Sequence, residues 1–265
     1  MEILERFTKA KAQDESLNED LLFCNDSFIA VVDGVTAKDR ILFNGKTGGR
    51  AAAEIICKII SDFEPEKDVF SAVEKMTAGV KALYSESTPE SSAAASVIIY
   101  SKQRKEIWSI GDCQCIINGE FFSHEKELDR IVSDMRALVL EISRREGFTD
   151  TELAENDTGR QFVLPVIKKQ RIFANSDGRL SYGVINGSRV HRKDIIIYKL
   201  KSGDEVVLAS DGYPELCASL KESEEKLKKE IKNNPLCDGD YRSTKGIKKG
   251  NSSFDDRTYI RFKVL

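Results

Sequence analysis

Apolar positions along the chain change period several times, and each change predicts a different element. "FIAVV" (28–32) is an unbroken apolar run that stops on Asp33-Gly34, as a strand buried on both faces does. From Arg50 to Phe63, Ile55, Ile56, Ile59 and Ile60 recur at helical spacing just after glycines. A second helix reads from Asp68 to about Tyr84, with Val69, Val73, Met76, Val80 and Leu83 on one stripe. Residues 93–123 then read as strand, charged turn, strand, an Asn118-Gly119 hairpin turn and a further strand, an antiparallel meander. Residues 126–146 predict a helix with a broad apolar face of Leu128, Ile131, Met135, Leu138, Leu140 and Ile142. Signals weaken over 150–190, where a helix broken at Pro165 and a short strand at "SYGVINGS" are the readings. "KDIIIYKLKSGDEVVLASDG" is two strands joined at Lys201-Ser202-Gly203-Asp204, the second stopping on Asp211-Gly212. A Lys- and Glu-rich helix with a solvated face follows Pro214, and a final strand runs from Tyr259 to Val264. Two sheets that cover each other, with helices on their outer faces, make an α+β domain spanning residues 1–265.

Composition narrows the function classes. A net charge of -3 leaves no basic footprint for nucleic acid. No apolar run approaches the roughly 18 residues of a membrane helix. The first residues are charged and lack the apolar core of a secretory signal, so a cytoplasmic protein is the expectation. Six Cys without a C-x-x-C pair, and only His124 and His191, argue against a zinc site. Cys113 and Cys115 share a strand face and read as small buried hydrophobes, a redox pair being the alternative. "FNGKTGGR" is not a phosphate loop, because Arg40 stands where the leading glycine belongs.

The chemistry lies in acids at strand ends: Asp33, Asp112, Asp211 and Asp255. Each alone is an ordinary turn former. Together they are carboxylates on rigid backbone that converge from distant parts of the chain, and they would repel one another unless a cation joined them. An all-oxygen set suits Mg²⁺ or Mn²⁺, and Gly34 and Gly212 let a backbone oxygen approach closely. Two such ions about 3.5–4 Å apart are a device for phosphoryl chemistry.

In this order the motifs resemble the metal-dependent serine/threonine phosphatases of the protein phosphatase 2C-like family. The matching pieces are Glu19-Asp20, Asp33-Gly34, Gly48-Gly49 before an Ala-rich helix, Gly111-Asp112, "GDEVVLASDG" ending at Asp211-Gly212, and Asp255-Asp256-Arg257-Thr258 before the last strand. The resemblance implies a four-layer α-β-β-α sandwich of two antiparallel sheets, with a site for two Mn²⁺ or Mg²⁺ ions at one end. It implies that Asp33 bridges both ions and that the Gly34 carbonyl binds one. Asp211 and Asp255 complete the other shell, Asp112 serves an optional third ion, and Glu19 and Asp20 act through metal-bound waters. Asp255 is preferred to Asp256, which falls where the family often has Asn. The implied reaction is hydrolysis of phosphoserine or phosphothreonine on proteins by metal-activated water, in signalling opposite a serine/threonine kinase. Asp33, Asp211 and Asp255 are the catalytic set.

The chain departs from the family in places. Glu15 stands where many members carry a phosphate-binding Arg, which leaves Lys9, Lys11, Lys38, Arg40 or Arg50 as substitutes. Val35 replaces a His, and residues 125–190 follow no family pattern. A phosphatase-fold regulatory or binding module, and an enzyme for a small phosphorylated metabolite, are the alternatives.

Overall fold

The protein was analysed as a computed structural model, which describes residues 1–36, 41–85 and 92–265. One five-stranded antiparallel sheet has the order β1 (Glu2–Lys9), β12 (Arg257–Lys263), β11 (Glu205–Ala209), β8 (Gln114–Ile117), β9 (Glu120–Phe122). The other has the order β10 (Ile196–Lys199), β7 (Glu106–Ile110), β6 (Ala95–Ser101), β3 (Phe28–Gly34), β2 (Leu21–Cys24). A short hairpin, β4 (Leu42–Phe43) and β5 (Lys46–Thr47), leads into helix α1 (Gly48–Ser61), and α2 (Val69–Lys81) follows.

The apolar strands divide their side chains by parity. Ile29 and Val31 of β3, and Ile98 and Tyr100 of β6, meet Val206, Leu208, Ile260 and Phe262 of the facing sheet. Phe28, Ala30 and Val32, with Val97 and Ile99, point the other way and pack under Ile56 and Ile60 of α1 and Val73, Met76 and Val80 of α2. On the opposite outer face, Val207, Ala209 and Tyr259 pack with Leu227 and Ile231 of α6 (Leu220–Asn233). Both faces of both sheets are covered, so these strands read as unbroken apolar runs. The architecture is the expected four-layer sandwich.

One expectation about the sheets needs correction, and two of their features were not foreseen. The meander is not one sheet: the chain crosses between sheets after β7, at Gly111, which has φ +94° and a Cβ position only 2.3 Å from Ser96 Oγ. Likewise β10 and β11, adjacent in sequence, lie in different sheets. Strand β1 was not expected. It is an edge strand, mostly solvent-facing, and its order comes from backbone pairing with β12 rather than from an apolar pattern. The Asn118-Gly119 hairpin turn is present, with positive φ at both residues as this turn type requires.

Residues 127–169 form a separate layer. Helix α3 (Glu127–Arg145), a short α4 (Asp150–Glu155) and α5 (Thr158–Lys169) have their own small core of Leu128, Val132, Val163 and Ile167. Helix α5 continues through Pro165 instead of breaking there. The fully buried Arg136 of α3 bonds Asp157 at 2.7 Å and the carbonyls of Cys237 and Ser243, which ties this layer to the loop after α6. Most of the expected apolar face of α3 is not core: Ile131, Met135, Leu138 and Ile142 are exposed.

Candidate functional site

Two glycine contacts bring the acidic strand ends together. A Cβ on Gly34 would lie 2.5 Å from the Glu19 carbonyl oxygen and 2.6 Å from the Gly49 backbone, so only glycine lets β3, the Glu19-Asp20 segment and the start of α1 meet. A Cβ on Gly212 would lie 2.0 Å from the Asp256 carbonyl oxygen, which sets the Asp211 turn against the Asp255-Asp256 segment. The sequence suggested that these glycines open space for a backbone oxygen at a metal. The structure shows them serving chain-to-chain contact.

Asp33, Gly34, Asp112, Asp211 and Asp255 line one cleft of about 1310 Å³, with Lys126 and Lys245. Lys126 comes from the residue before α3, and Tyr182 adds a further wall. The Asp211 N–H points at Asp33 Oδ2 from 3.5 Å. Burial, then repulsion from Asp20, Asp112 and Asp255, pushes the Asp33 carboxyl well above the usual carboxylate range. Asp211 is water-accessible yet walled by protein, and it too is pushed well up, by burial and then by Asp33, Asp112 and Asp255. Asp20 sits just behind, 2% exposed, its carboxyl pushed up to about 8 mainly by burial, and its Oδ2 has no hydrogen-bond partner. Glu19 is buried and fixed, accepting from Thr36 Oγ1 at 2.5 Å and Thr47 Oγ1 at 2.7 Å.

The other two acids hold lysines. Lys126 Nζ lies 2.5 Å from Asp112 Oδ2, 3.8 Å from Asp129 and 5.0 Å from the centre of the Tyr182 ring. Burial would raise the Asp112 carboxyl, but the Lys126 ammonium holds it below its ordinary value. Asp255 is pinned at both oxygens, Oδ1 by Lys11 Nζ at 2.9 Å and Oδ2 by Lys245 Nζ at 2.5 Å. Against the effect of burial, Lys245 and Lys11 hold Asp255 well below the carboxylate range. Asp256 points away from the cleft, accepting from the backbone N–H groups of Lys11 (2.8 Å) and Glu19 (3.1 Å).

Of the basic candidates, Lys11 reaches the site. Arg50 is turned to Glu54 and the Asn18 carbonyl, and Lys9 ends β1; Lys38 and Arg40 lie outside the described residues. Glu15 accepts from the Ala10 N–H. Sequence reasoning missed Lys126 and Lys245. The first stands directly before a helix and the second in an irregular loop, so neither had a periodic or motif signal.

A divalent ion suits part of this arrangement. Asp33, Asp211 and the unpartnered Asp20 Oδ2 are oxygen donors whose mutual repulsion a cation would relieve. Among the described residues, however, no three acidic, His or Cys side chains are drawn together as a ready-made ligand shell. Asp255 can join one only by releasing a lysine.

No family profile and no curated protein matches the chain. Solved structures do. The serine/threonine phosphatase PstP/Ppp of Mycobacterium tuberculosis superposes with a TM-score of 0.53 at 15% identity, over 100% of this chain and 99% of that one. The catalytic domain of PstP in complex with two manganese ions gives 0.52 at 13%, over 100% of both chains. The chain has the PPM phosphatase fold. A third PPM structure, the Ser-Thr phosphatase MsPP of Mycobacterium smegmatis in complex with cacodylate, gives 0.50 at 13% identity over 100% of both chains. Within the PPM fold of this chain, the acids gather at one end of the sandwich, where β3 and β11 terminate together. Among the described residues no helix is long and apolar enough to cross a membrane.

Proposed function

We propose that residues 1–265 act as one phosphatase domain, cytoplasmic, hydrolysing phosphoserine or phosphothreonine on proteins with two bound Mn²⁺ or Mg²⁺ ions. The observation that carries this reading is the set of carboxyls on Asp33 and Asp211 in the cleft and Asp20 just behind them, crowded together without a cationic side chain of their own. Asp33, Asp211 and Gly34 would hold the ions, Asp255 completing a shell on release of Lys11 or Lys245, and Glu19 and Asp20 orienting waters from behind. Such ions supply an activated water and neutralise charge on the phosphoryl oxygens. Lys11 and Lys245, ammonium groups at the rim of the acidic cluster, are placed to bind the substrate's phosphate in the role that Glu15 cannot fill. Lys126 supplies a fixed positive charge at Asp112, so the third ion is replaced by an ammonium and two ions suffice.

The cleft is open and lined by Arg130, Arg171 and Arg242 as well as acids, which suits a phosphorylated protein segment better than a small metabolite. The test is Mn²⁺-dependent hydrolysis of a phosphothreonine peptide and of p-nitrophenyl phosphate, with Asp33→Asn as control. Metal-dependent turnover abolished by Asp33→Asn is the expected result. A regulatory module remains the second reading, favoured by the double lysine clamp on Asp255. Absence of Mn²⁺ binding by calorimetry would decide for it.

A further inference from the structure

Helix α3 carries a second feature, on the side away from the cleft. Ile131 (39% exposed), Met135 (42%), Leu138 (54%) and Ile142 (48%) stand about half open to solvent. Their spacing of four, three and four is the heptad step of a helix that packs on another helix. At about 100° per residue the four fall within about 60° of one another, and about 180° from the cleft-lining Lys126, Asp129 and Ser133. Helix α5 runs antiparallel to α3, since Ser143 bonds Thr158 at one end while Leu128 and Val132 pack with Val163 and Ile167 towards the other. By the same wheel its exposed Phe162 (62%) and Val166 (49%) lie on the same outer side as the α3 stripe. The six side chains expose on the order of 500 Å² of apolar surface, the upper end of what a lone soluble protein shows.

We propose that a second copy of this chain covers this face, α3 lying antiparallel on α3 across a two-fold axis between positions 136 and 137. The stripe is self-complementary about that point. Ile131 meets Ile142 of the second copy and Met135 meets Leu138, each pairing occurring twice, as an isologous contact requires. The charges select the antiparallel sense. Helix α3 has Glu127 in its first turn and Arg145 in its last, both along one edge of the stripe, so two-fold packing sets acid beside base, whereas parallel packing would bring like ends level. Arg145, 83% exposed, falls opposite Leu128 of the second copy, next to its Glu127. The two patches together bury about 1,000 Å², the lower bound of a specific interface, so the dimer is a weak one. Lys126, Asp129 and Ser133 face the cleft from the other side of α3, so the acidic end of each cleft stays open, while Arg130 and Asp134, which also line it, border the contact.

Sedimentation equilibrium of the full chain, from a few to about two hundred micromolar, tests this. The expected result is a reversible monomer–dimer equilibrium. Leu138→Glu should raise its Kd by at least about a hundredfold while leaving unchanged the urea midpoint measured at dilute, monomeric concentration, because the side chain is half exposed there. Arg145→Glu should weaken it less and make it less salt-sensitive. A wild-type chain that stays monomeric over that range, or a dimer that Leu138→Glu leaves intact, would overturn the proposal. A complex of wild type with a different protein or with lipid vesicles, without self-association, would overturn it as well.

Discussion

Lys126→Met should be the most costly conservative change in the cleft, and the cost should depend on pH. The Lys126 and Asp112 side chains are 10% and 13% exposed, so the substitution leaves a carboxylate in protein surroundings with little besides the Ser96 hydroxyl to satisfy it. Breaking a buried pair from one side costs about 3–5 kcal/mol, and the lower end applies to a cleft that admits some water. With a urea slope of about 3 kcal/mol/M for a chain of this size, the midpoint should fall by about 1 M. The sign with pH follows from the two partners. Lys126 holds Asp112 below its unfolded value, so the pair's contribution is complete above the unfolded carboxylate pKa and is lost as pH falls through the folded one. Without Lys126, burial pushes Asp112 up, and the group takes a proton as pH falls. The deficit of Lys126→Met should therefore be largest near pH 8 and shrink towards pH 5. Asp112→Asn in the same chain should recover most of it, and millimolar Mn²⁺ should stabilise Lys126→Met more than wild type. Urea unfolding at both pH values, with and without Mn²⁺, reads all of this. A deficit below about 0.5 kcal/mol at pH 8, or one that ignores pH, would show that the pair is a solvated contact.

Three further outcomes bear on the same cleft. Gly212→Ala adds a carbon 2.0 Å from the Asp256 carbonyl oxygen and 2.8 Å from Arg257 Cβ, which should cost about 2–3 kcal/mol and weaken Mn²⁺ binding as the Asp211 turn moves away; unchanged urea midpoint and calorimetry would refute the contact. Asp20 keeps its proton to about pH 8 in the folded chain, while the unfolded carboxyl loses it near its ordinary value of 3.8, so metal-free stability should decline as pH rises through that window, and a flat pH–stability curve would contradict the burial of Asp20. Lys245→Ala and Lys11→Ala should raise KM for a phosphopeptide more than they lower kcat, and an unchanged KM would remove both from phosphate binding.

What the sequence disclosed follows from what each residue packs against. Strands β3, β6 and β11 were legible because both faces are buried, and the Asp33-Gly34 and Asp211-Gly212 stops were legible because a buried strand rarely ends on an acid. Which sheet a strand joins was not legible: β7 and β8 are neighbours in sequence, and only the Gly111 contact with Ser96 sends the chain across. Strand β1 was missed because an edge strand is specified by partner backbone. Helix α3 was placed well, Glu127–Arg145 against an expected 126–146, but its burial was misjudged, since periodicity reports an apolar stripe and not what covers it. The lysines were beyond reach for a related reason. A lone Lys has no period, and only the fold places Lys126, Lys11 and Lys245 beside particular carboxylates.

Charge balance links the fold to the proposed chemistry. Three ammonium groups, on Lys11, Lys126 and Lys245, enter the acidic end of the sandwich. The lysines sit at the periphery, on Asp112 and on the Asp255-Asp256 segment, and leave the centre around Asp33 uncompensated. Divalent ions there would supply the missing positive charge. Without them the protein must keep protons on Asp33, Asp211 and Asp20, as their raised affinities indicate, and it tolerates this because the strand ends are fixed by glycine contacts that admit no relaxation. Removing the central charge should therefore separate stability from function: Asp33→Asn should make the metal-free protein more stable at alkaline pH, where the Asp33 carboxyl would otherwise ionise, and at the same time abolish its response to Mn²⁺. A cluster that served only the fold would lose stability with that substitution.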